Sequence, residues 1–417
     1  MDFMREQMRQ KNILASDDGL LGRILTPEDN GAFAPDTVAG DDSWIAPFMR
    51  AVPLDDEGFA TSFPVPGNDD DADRIRAFFE EFGYVVLRDA ISPAAVTRSV
   101  AETWDCLERS CKSARRDDPR TWDRWCSLKQ LGFLGNTVVL SPQFCENRQN
   151  PHVHAVFAAL FGTPALHVVV GRAGFMRPTR GVRLPADTAT DGGGGDSEAE
   201  AHIVDKPEWK TAPGVDWLHW DMNPFTGAAT TFGWRIRDME ANRGYARLRV
   251  QGLLAVSENG PDDGGFLCAP GSHRCLRAWA HAHVRDAGIM RRVLMPESSC
   301  QLQLPDGDPL KAHAQKVPMR AGSLVVWDSR LAHANYQNDS ARPRMVQYVK
   351  MARADDPAVG PLFGAREELL PPREAFELTD LGRRLYGFER WPGVVMPQDG
   401  GGAEDASQQR RRRCLLQ

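Results

Sequence analysis

The second half of this 417-residue chain is built from short apolar runs that are separated by turn-forming residues. From Asp216 onward, residues 248–257, 264–270, 322–328 and 344–352 form runs of strand length bounded by Gly, Pro, Asp or Asn. Short strands in succession favour antiparallel sheets folded as a sandwich or jelly roll over alternating β and α units. We therefore predict a mainly β fold with flanking helices.

The first half carries the helical patterns. Residues 74–83 have apolar side chains at helical spacing and end in glycine, and residues 84–88 form a strand-like run. Ser92 and Pro93 are typical of a helix start, which predicts a helix from 94 to about 111. Further helices are expected at 152–161 and 378–386, with a buried strand at 165–171.

These patterns divide the chain into four parts. Residues 1–70 are expected to form a weakly ordered arm, because acidic, Pro and Gly residues interrupt every apolar run. Residues 71–352 form the predicted jelly-roll domain, with a polar insertion at 178–216. A helical extension at 353–397 and a polar, basic tail at 398–417 follow. The four glycines at 192–195 lack the lysine and spacing of a phosphate-binding loop and are interpreted as a flexible linker.

Charge and hydropathy exclude several classes of partner. The net charge of −7 argues against a nucleic-acid surface. No run reaches the roughly 18 apolar residues of a membrane span, and the amino terminus lacks the apolar segment of a signal peptide. The eight cysteines include no CxxC pair, so we expect a cytoplasmic protein with reduced, buried cysteines and no four-cysteine zinc site.

His219 and Asp221 are the first candidate metal ligands. On an extended strand, both side chains leave the same face while Trp220 points to the other. Such a pair is weak evidence alone, because a chain with ten histidines can carry it by accident on a surface strand. His333, which follows the apolar run 324–328, offers a third donor. Two histidines and one carboxylate form the facial triad that suits non-haem Fe(II).

Arg344 is the candidate anion-binding residue. It begins a strand-like run in which Arg344, Val346 and Tyr348 share one face. An arginine on an interior face needs an anionic partner, and its guanidinium binds carboxylates bidentately. The alternative is a surface salt bridge. Arg342, which precedes Pro343, is expected to be solvated.

Jointly these segments resemble the phytanoyl-CoA dioxygenase family of Fe(II)- and 2-oxoglutarate-dependent oxygenases. The resemblance covers residues 75–350 and rests on Phe82-Gly83-Tyr84-Val85-Val86-Leu87, His219-Trp220-Asp221, residues 264–273, residues 322–328, His333 and Arg342-Pro343-Arg344. It implies a double-stranded β-helix, which is a cupin-like jelly roll. It also implies that His219, Asp221 and His333 bind iron, and that Arg344 binds the distal carboxylate of 2-oxoglutarate.

The resemblance implies a dioxygenase that uses O2 to hydroxylate a C–H bond of a small organic or lipid-like substrate. Succinate and CO2 are released, and ascorbate is a candidate reductant. Gln251 and Arg177 are candidate cofactor-binding residues of the pocket, although a structural hydrogen bond or a surface charge would explain each equally well. The insertion 178–216 and the segment 225–247 exceed a minimal family member and are expected to shape the substrate entrance. The substrate is not predicted, and acyl-CoA does not follow from the family's name.

Two alternatives stay open at this point. One is a metal-stabilised jelly-roll binding module without catalysis, and the other is a zinc hydrolase that uses the same ligands with a bound water. The C-terminal Cys414-Leu415-Leu416-Gln417 follows four arginines and fits a prenylation motif, which would associate the protein with a membrane surface. The alternative for this tail is a basic segment with an incidental cysteine.

Overall fold

The structure is a computed structural model that describes residues 44–111, 113–124, 127–128, 132–134, 138–185, 202–211, 214–221, 250–283, 302–356 and 367–394. The strands are β1 Tyr84–Leu87, β2 Ser127–Leu128, β3 Phe133–Leu134, β4 Leu166–Met176, β5 Val182–Leu184, β6 His202–Val204, β7 His219–Trp220, β8 Val250–Ala255, β9 Asp263–Cys268, β10 Leu302–Gln303, β11 Gln315–Val317, β12 Leu324–Asp328, β13 His333–Asn338 and β14 Arg344–Arg353. The helices are α1 Asp69–Phe82, α2 Pro93–Ser110, α3 Pro142–Gln149, α4 Pro151–Phe161, α5 Leu276–His283 and α6 Asp380–Leu385.

Twelve of these strands form two antiparallel sheets. The larger sheet has the order β1-β12-β8-β14-β4-β3-β2, the smaller has the order β10-β7-β13-β9-β11, and β5 and β6 pair as a separate hairpin. Between β7 and β14 the chain passes repeatedly from one sheet to the other, since β8, β12 and β14 belong to the larger sheet and β7, β9 and β13 to the smaller. This alternation is the topology of a jelly roll. The predicted mainly β fold with flanking helices is confirmed.

Alternation along each strand divides the core into layers. Between the sheets, Leu253 and Val325 of the larger sheet belong to one buried cluster with Phe266 and Cys268 of the smaller. The outer face of the larger sheet belongs to a cluster that includes buried residues of α1 to α4, among them Phe157. The smaller sheet is covered on its outside by another cluster that contains residues of α5. The space between the sheets is therefore the protected interior.

Helix α1 and strand β1 follow directly from local sequence. The Asn68 side chain accepts a hydrogen bond from the Asp71 amide, and three aspartates occupy the first turn of the helix. Acidic side chains near a helix N-terminus are stabilised by the helix dipole, so the helix begins before the predicted residue 74. Gly83, with φ of 79°, ends it in the left-handed conformation that glycine adopts most readily, and the chain enters β1.

Part of the predicted N-terminal arm is packed against the fold. Ile45 and Ala60 are buried, and the Phe63 amide donates to the carbonyl oxygen of Val86. The expectation of weak order is therefore wrong for residues 44–70, because their apolar side chains find partners on the sheets. Residues 1–43 lie outside the described residues, and the division of the chain into domains stays a prediction.

The predicted insertion 178–216 contains regular structure where it is described. It forms the β5–β6 hairpin, and Trp209 is buried. The described part of this insertion therefore has regular structure and a buried aromatic side chain. The glycines at 192–195 and the segment 225–247 lie outside the described residues.

Four cysteines are free and buried, as expected, namely Cys106, Cys145, Cys268 and Cys275. Cys111 differs, because it is disulfide-bonded, and its partner lies outside the described residues. The expectation of reduced cysteines is wrong here, since a disulfide depends on close approach of two Cβ atoms, which sequence spacing alone does not reveal. Within the described part of the chain, no helix is both long and apolar enough to cross a membrane.

Candidate metal centre

Strand pairing in the smaller sheet brings the predicted ligands together. His219 of β7 and His333 of β13 are direct cross-strand partners, and their ring centroids are 4.5 Å apart. Asp221 comes two residues after His219, at the end of β7. One ligand atom from each of the three residues lies within 4.8 Å of the others, and all three residues are buried. The described residues therefore contain a cluster with the composition of the predicted facial triad.

Backbone carbonyls fix the orientation of both imidazoles. His219 Nδ1 is 2.8 Å from the carbonyl oxygen of Trp217, and His333 Nδ1 is 2.9 Å from that of Leu331. A neutral imidazole donates to a carbonyl through its protonated nitrogen, so the proton lies on Nδ1 and the Nε2 lone pair is free. The Nε2 atoms of His219 and His333 lie 3.7 and 3.4 Å from the Asp221 carboxylate oxygens. Both rings therefore present a ligand atom to the same space.

The electrostatics of the cluster suit a cation. Burial, together with the neighbouring His333, lowers the pKa of His219 from 6.5 to about 4. Burial acts to raise the pKa of Asp221, but the neighbouring imidazoles of His333 and His219 lower that pKa far below its usual range. At neutral pH His219 is uncharged and Asp221 is a carboxylate. These are the protonation states in which both groups bind metals.

Gln251 reaches the cluster from the opposite sheet. Its side-chain amide on β8 donates a hydrogen bond to Asp221 Oδ2, and the residue is buried. Hydrogen bonds of this kind orient a carboxylate ligand and adjust its basicity. The structure thus brings Gln251 to the site, in contact with a predicted ligand.

Arg344 lies on the inward face of β14 and is fully buried. Its Nε donates to Asn259 Oδ1 at 3.0 Å, and its Nη2 donates to Asn335 Oδ1 at 3.4 Å. Its Nη1 is buried and has no hydrogen-bond partner among the described residues. A buried N–H group left unsatisfied is costly, and a carboxylate is its natural partner. The arginine therefore fits one end of a dicarboxylate such as 2-oxoglutarate.

Two other arginines lie in different surroundings. Arg342 has an exposed side chain that pairs with the buried Asp263. Arg177 is buried, its Nη1 donates to the carbonyl oxygen of Trp122 at 2.8 Å, and its guanidinium carbon lies 4.9 Å from the ring centroid of Trp209. These contacts explain Arg177 as a structural residue, and its role in cofactor binding stays a prediction.

Sequence reasoning missed several residues around the site. Asn259 and Asn335 contact Arg344 from other strands, which only the strand register reveals. Lys350 was also missed, although alternation along β14 places it on the same face as Arg344 and Tyr348. The alternation of Arg344, Val346 and Tyr348, continued by two residues, would have identified Lys350.

Comparisons with known proteins agree with the motifs. Residues 198–346 match the family model described as phytanoyl-CoA dioxygenase (PhyH). A Dictyostelium discoideum protein described as "Putative phytanoyl-CoA dioxygenase" is 28% identical over an alignment of 296 residues, with 66% of this chain and 73% of that protein covered.

Two solved structures illustrate the similarity at lower identity. The epimerase SnoN in complex with Fe3+, alpha ketoglutarate and nogalamycin RO is 15% identical, with 69% of this chain and 86% of that chain covered and a TM-score of 0.38. AviO1 from Streptomyces viridochromogenes Tue57 is 16% identical, with 70% of this chain and 97% of that chain covered and a TM-score of 0.37.

Proposed function

Because this chain belongs to the phytanoyl-CoA dioxygenase family of non-haem iron, 2-oxoglutarate-dependent oxygenases, we propose that it hydroxylates a C–H bond of a small organic or lipid-like substrate. The observation that carries the proposal is the buried cluster of His219, Asp221 and His333. Its two Nε2 atoms and its carboxylate face one space, and Arg344 lies on an adjoining inward face with an unsatisfied Nη1.

In this proposal, His219, Asp221 and His333 hold the iron through two imidazole nitrogens and one carboxylate oxygen. Two histidines and one carboxylate are a ligand set that suits non-haem Fe(II). The bound iron and 2-oxoglutarate supply the oxidative chemistry, in which O2 is consumed and succinate and CO2 are released. The chain itself contributes ligand geometry, cosubstrate binding and exclusion of water.

Arg344 holds the distal carboxylate of 2-oxoglutarate in this arrangement. Asn259 and Asn335 accept from two of its nitrogens and so fix the plane of the guanidinium group. The rings of Phe266 and Trp327 lie 6.0 and 5.3 Å from that of His333, measured between centroids. These apolar groups keep water from one side of the centre, which strengthens the electrostatic interactions within it.

The test is succinate formation by the purified protein with Fe(II), 2-oxoglutarate and ascorbate. We expect slow turnover without substrate, and a loss of more than about a hundredfold in His219→Ala, because removal of a ligand exceeds the effect of losing a supporting hydrogen bond. His152→Ala, which removes an exposed histidine on α4, is the matched control. Equal succinate formation in wild type and His219→Ala would contradict the proposal.

A binding measurement on the same preparation distinguishes the proposed enzyme from a metal-stabilised binding module without catalysis. Isothermal titration of the metal-loaded protein with 2-oxoglutarate should give saturable binding that Arg344→Ala weakens. Absence of binding in the wild-type protein would favour the binding module.

The cellular location is proposed to be cytoplasmic, with association to a membrane surface if Cys414 is prenylated. The motif lies outside the described residues, and the modification stays a prediction. Mass spectrometry of protein from its native cell is the measurement, and an unmodified chain that ends at an intact Gln417 would contradict prenylation.

A further inference from the structure

The hydroxyl group of Tyr348 lies beside the anion-binding end of the candidate site. Tyr348 shares the inward face of β14 with Arg344. The side-chain amide of Asn335 connects the two residues, because its Oδ1 accepts from Arg344 Nη2 at 3.4 Å and its Nδ2 donates to Tyr348 Oη at 3.1 Å. Burial lowers the pKa of Arg344, and the neighbouring Tyr348 acts in the opposite direction. The guanidinium and the phenol therefore belong to one hydrogen-bonded group.

The orientation of Asn335 decides what the Tyr348 hydroxyl can do. A guanidinium group only donates hydrogen bonds, so the amide oxygen of Asn335 must face Arg344 and its NH2 group must face Tyr348. The phenolic oxygen therefore accepts from Asn335, and its O–H group can donate to a second partner. Within the described part of the chain, no residue accepts that hydrogen bond.

Arg344 Nη1 is the second donor without a partner. It is buried and makes no hydrogen bond to any described residue, whereas Nε and Nη2 donate to Asn259 and Asn335. Nη1 lies beside Gly174 of β4, where a Cβ would be 3.3 Å from Nη1 and 2.7 Å from Val346 Cγ2. The lack of a side chain at Gly174 therefore leaves space for a ligand next to Nη1.

A row of rings connects Tyr348 to the metal cluster. The Phe133 ring lies 5.5 Å from that of Tyr348 and 6.3 Å from that of Trp217, between centroids. The Trp217 ring lies 4.7 Å from that of His219. The row therefore borders the span between a metal ligand and the Arg344 group, and the contact with Phe133 limits the movement of the phenol.

Two free donors of this kind match a carboxylate. One carboxylate oxygen can accept from Arg344 Nη1 and the other from the Tyr348 hydroxyl, and hydrogen bonds to an ionised acceptor are stronger than those between neutral groups. The guanidinium also supplies the opposite charge. An apolar ligand end at this position would leave both donors unpaired, which is costly.

We propose that Tyr348 binds the cosubstrate, because its hydroxyl donates a hydrogen bond to the distal carboxylate of 2-oxoglutarate beside Arg344. The inference rests on the proposed function and adds a residue to its cosubstrate site. It makes Tyr348 a residue that selects 2-oxo dicarboxylates over 2-oxo monocarboxylates.

Calorimetric titration measures this selection without turnover. The full-length protein is loaded with Mn(II) in the absence of oxygen and titrated with 2-oxoglutarate or with 2-oxopentanoate, which has a methyl group in place of the distal carboxylate. We expect wild type to prefer 2-oxoglutarate. Tyr348→Phe, which keeps the ring and removes only the hydroxyl, should weaken 2-oxoglutarate binding about tenfold, as the loss of one charge-assisted hydrogen bond gives. It should leave 2-oxopentanoate binding unchanged.

Tyr84→Phe is the matched control. Tyr84 is a buried tyrosine of the core cluster against which Tyr348 packs, and its hydroxyl has no hydrogen-bond partner among the described residues. Its removal should leave the binding of both 2-oxo acids unchanged. Circular dichroism and thermal melting verify that each variant is folded.

Fluorine NMR distinguishes direct contact from an indirect effect through Asn335. The chain contains five tyrosines, which are labelled as 3-fluorotyrosine in protein loaded with diamagnetic Zn(II). The signal of Tyr348 is the one that Tyr348→Phe lacks. This signal should shift more with 2-oxoglutarate than with 2-oxopentanoate, because only 2-oxoglutarate supplies an acceptor for the hydroxyl.

Three results would overturn the role of Tyr348: undiminished 2-oxoglutarate binding by Tyr348→Phe, an equal loss of affinity for both acids, or an equal response of the Tyr348 fluorine signal to both. Binding of 2-oxoglutarate to the wild-type Mn(II) protein is measured first. Its absence contradicts the proposed function and the role of Tyr348 with it, whereas binding that Tyr348→Phe retains contradicts only the role of Tyr348.

Discussion

Gln251 supports the metal centre at the scale of a single residue. Its side-chain amide donates to the Asp221 carboxylate from the opposite sheet. We expect Gln251→Leu to weaken Mn(II) or Fe(II) binding about 10- to 100-fold, because the carboxylate loses its orientation. Calorimetric metal titration measures the change. Gln303→Leu, which removes an exposed amide that donates to the backbone carbonyl oxygen of Asp216, is the control, and equal metal affinities in all three proteins would refute this role.

His273 should make stability depend on pH. It is buried, its Nε2 lies 3.0 Å from the carbonyl oxygen of Glu80, and burial lowers its pKa from 6.5 to about 4 against the attraction of Asp328. The folded state therefore binds this proton less readily than the unfolded state, and stability is lost as the pH falls below 6.5. Between pH 7 and pH 5 this residue should cost roughly 2 kcal/mol of the free energy of unfolding.

Urea unfolding of wild type and His273→Gln at both pH values checks this expectation. The variant lacks the titrating group, so its free energy of unfolding should fall less over the interval. Contributions from His219 cancel in the comparison. If the free energies of unfolding of wild type and His273→Gln fell equally between the two pH values, His273 would not be the cause of the pH dependence.

The metal ligands could be predicted from sequence because their geometry is local. His219 and Asp221 share a face through the alternation of one strand, and His333 begins another. The contacts that complete the site are not local. Asn259 and Asn335 meet Arg344 across strands, and that register depends on pairings distributed over the whole sheet.

At the scale of elements, β4 and β14 form a long pair that carries Arg344. Their register shifts between Gln347 and Val349, where two residues of β4 oppose Tyr348. A Cβ at Gly171 would lie 2.2 Å from the Tyr348 carbonyl oxygen. The close approach therefore requires glycine.

Gly171→Ala should thus destabilise the protein by about 1–3 kcal/mol, the usual cost of excess volume in a packed interior. Differential scanning calorimetry would show the lower melting temperature. Gly67→Ala is the control, because its added carbon would meet only an Asp71 carboxylate oxygen at 3.8 Å. An unchanged melting temperature of Gly171→Ala would mean that β4 and β14 can move apart at this position with little loss of stability.

Helix α3 shows why some elements escaped prediction. Its buried side includes polar residues, among them Gln143, Asn147 and Arg148, so it lacks the apolar periodicity by which helices are recognised. Asn147 among them hydrogen-bonds to residues that are distant in sequence. It donates, for example, to Gln347 of β14 at 2.8 Å. By contrast, α1 and α2 carry caps and apolar patterns, and their existence was predicted correctly.

At the scale of the whole molecule, the chain after the jelly roll packs back onto it. The indole N–H of Trp391 donates to the Leu166 carbonyl at 2.8 Å, and the Tyr386 hydroxyl donates to that of Cys145 at 3.0 Å. These contacts connect the C-terminal segment to β4 and α3. The segment is therefore part of the folded unit.

Trp391→Ala should lower the free energy of unfolding by roughly 3 kcal/mol, because it leaves a cavity and an unpaired carbonyl group. Chemical denaturation is the measurement. Leu369→Ala, at an exposed position of the same segment, should change stability little. Equal effects of the two substitutions would argue against docking of this segment through Trp391.

The pairing of His219 with His333 has a consequence for the order of folding. The two residues are separated by 114 positions (333 − 219 = 114) yet are direct partners in the smaller sheet. Contacts between residues so far apart in the sequence offset the entropy cost of loop closure only after both strands have formed. A chain leaving the ribosome therefore has no complete metal site until β13 has been synthesised. Iron capture is a late event, and the metal cannot serve as a template for the first steps of folding.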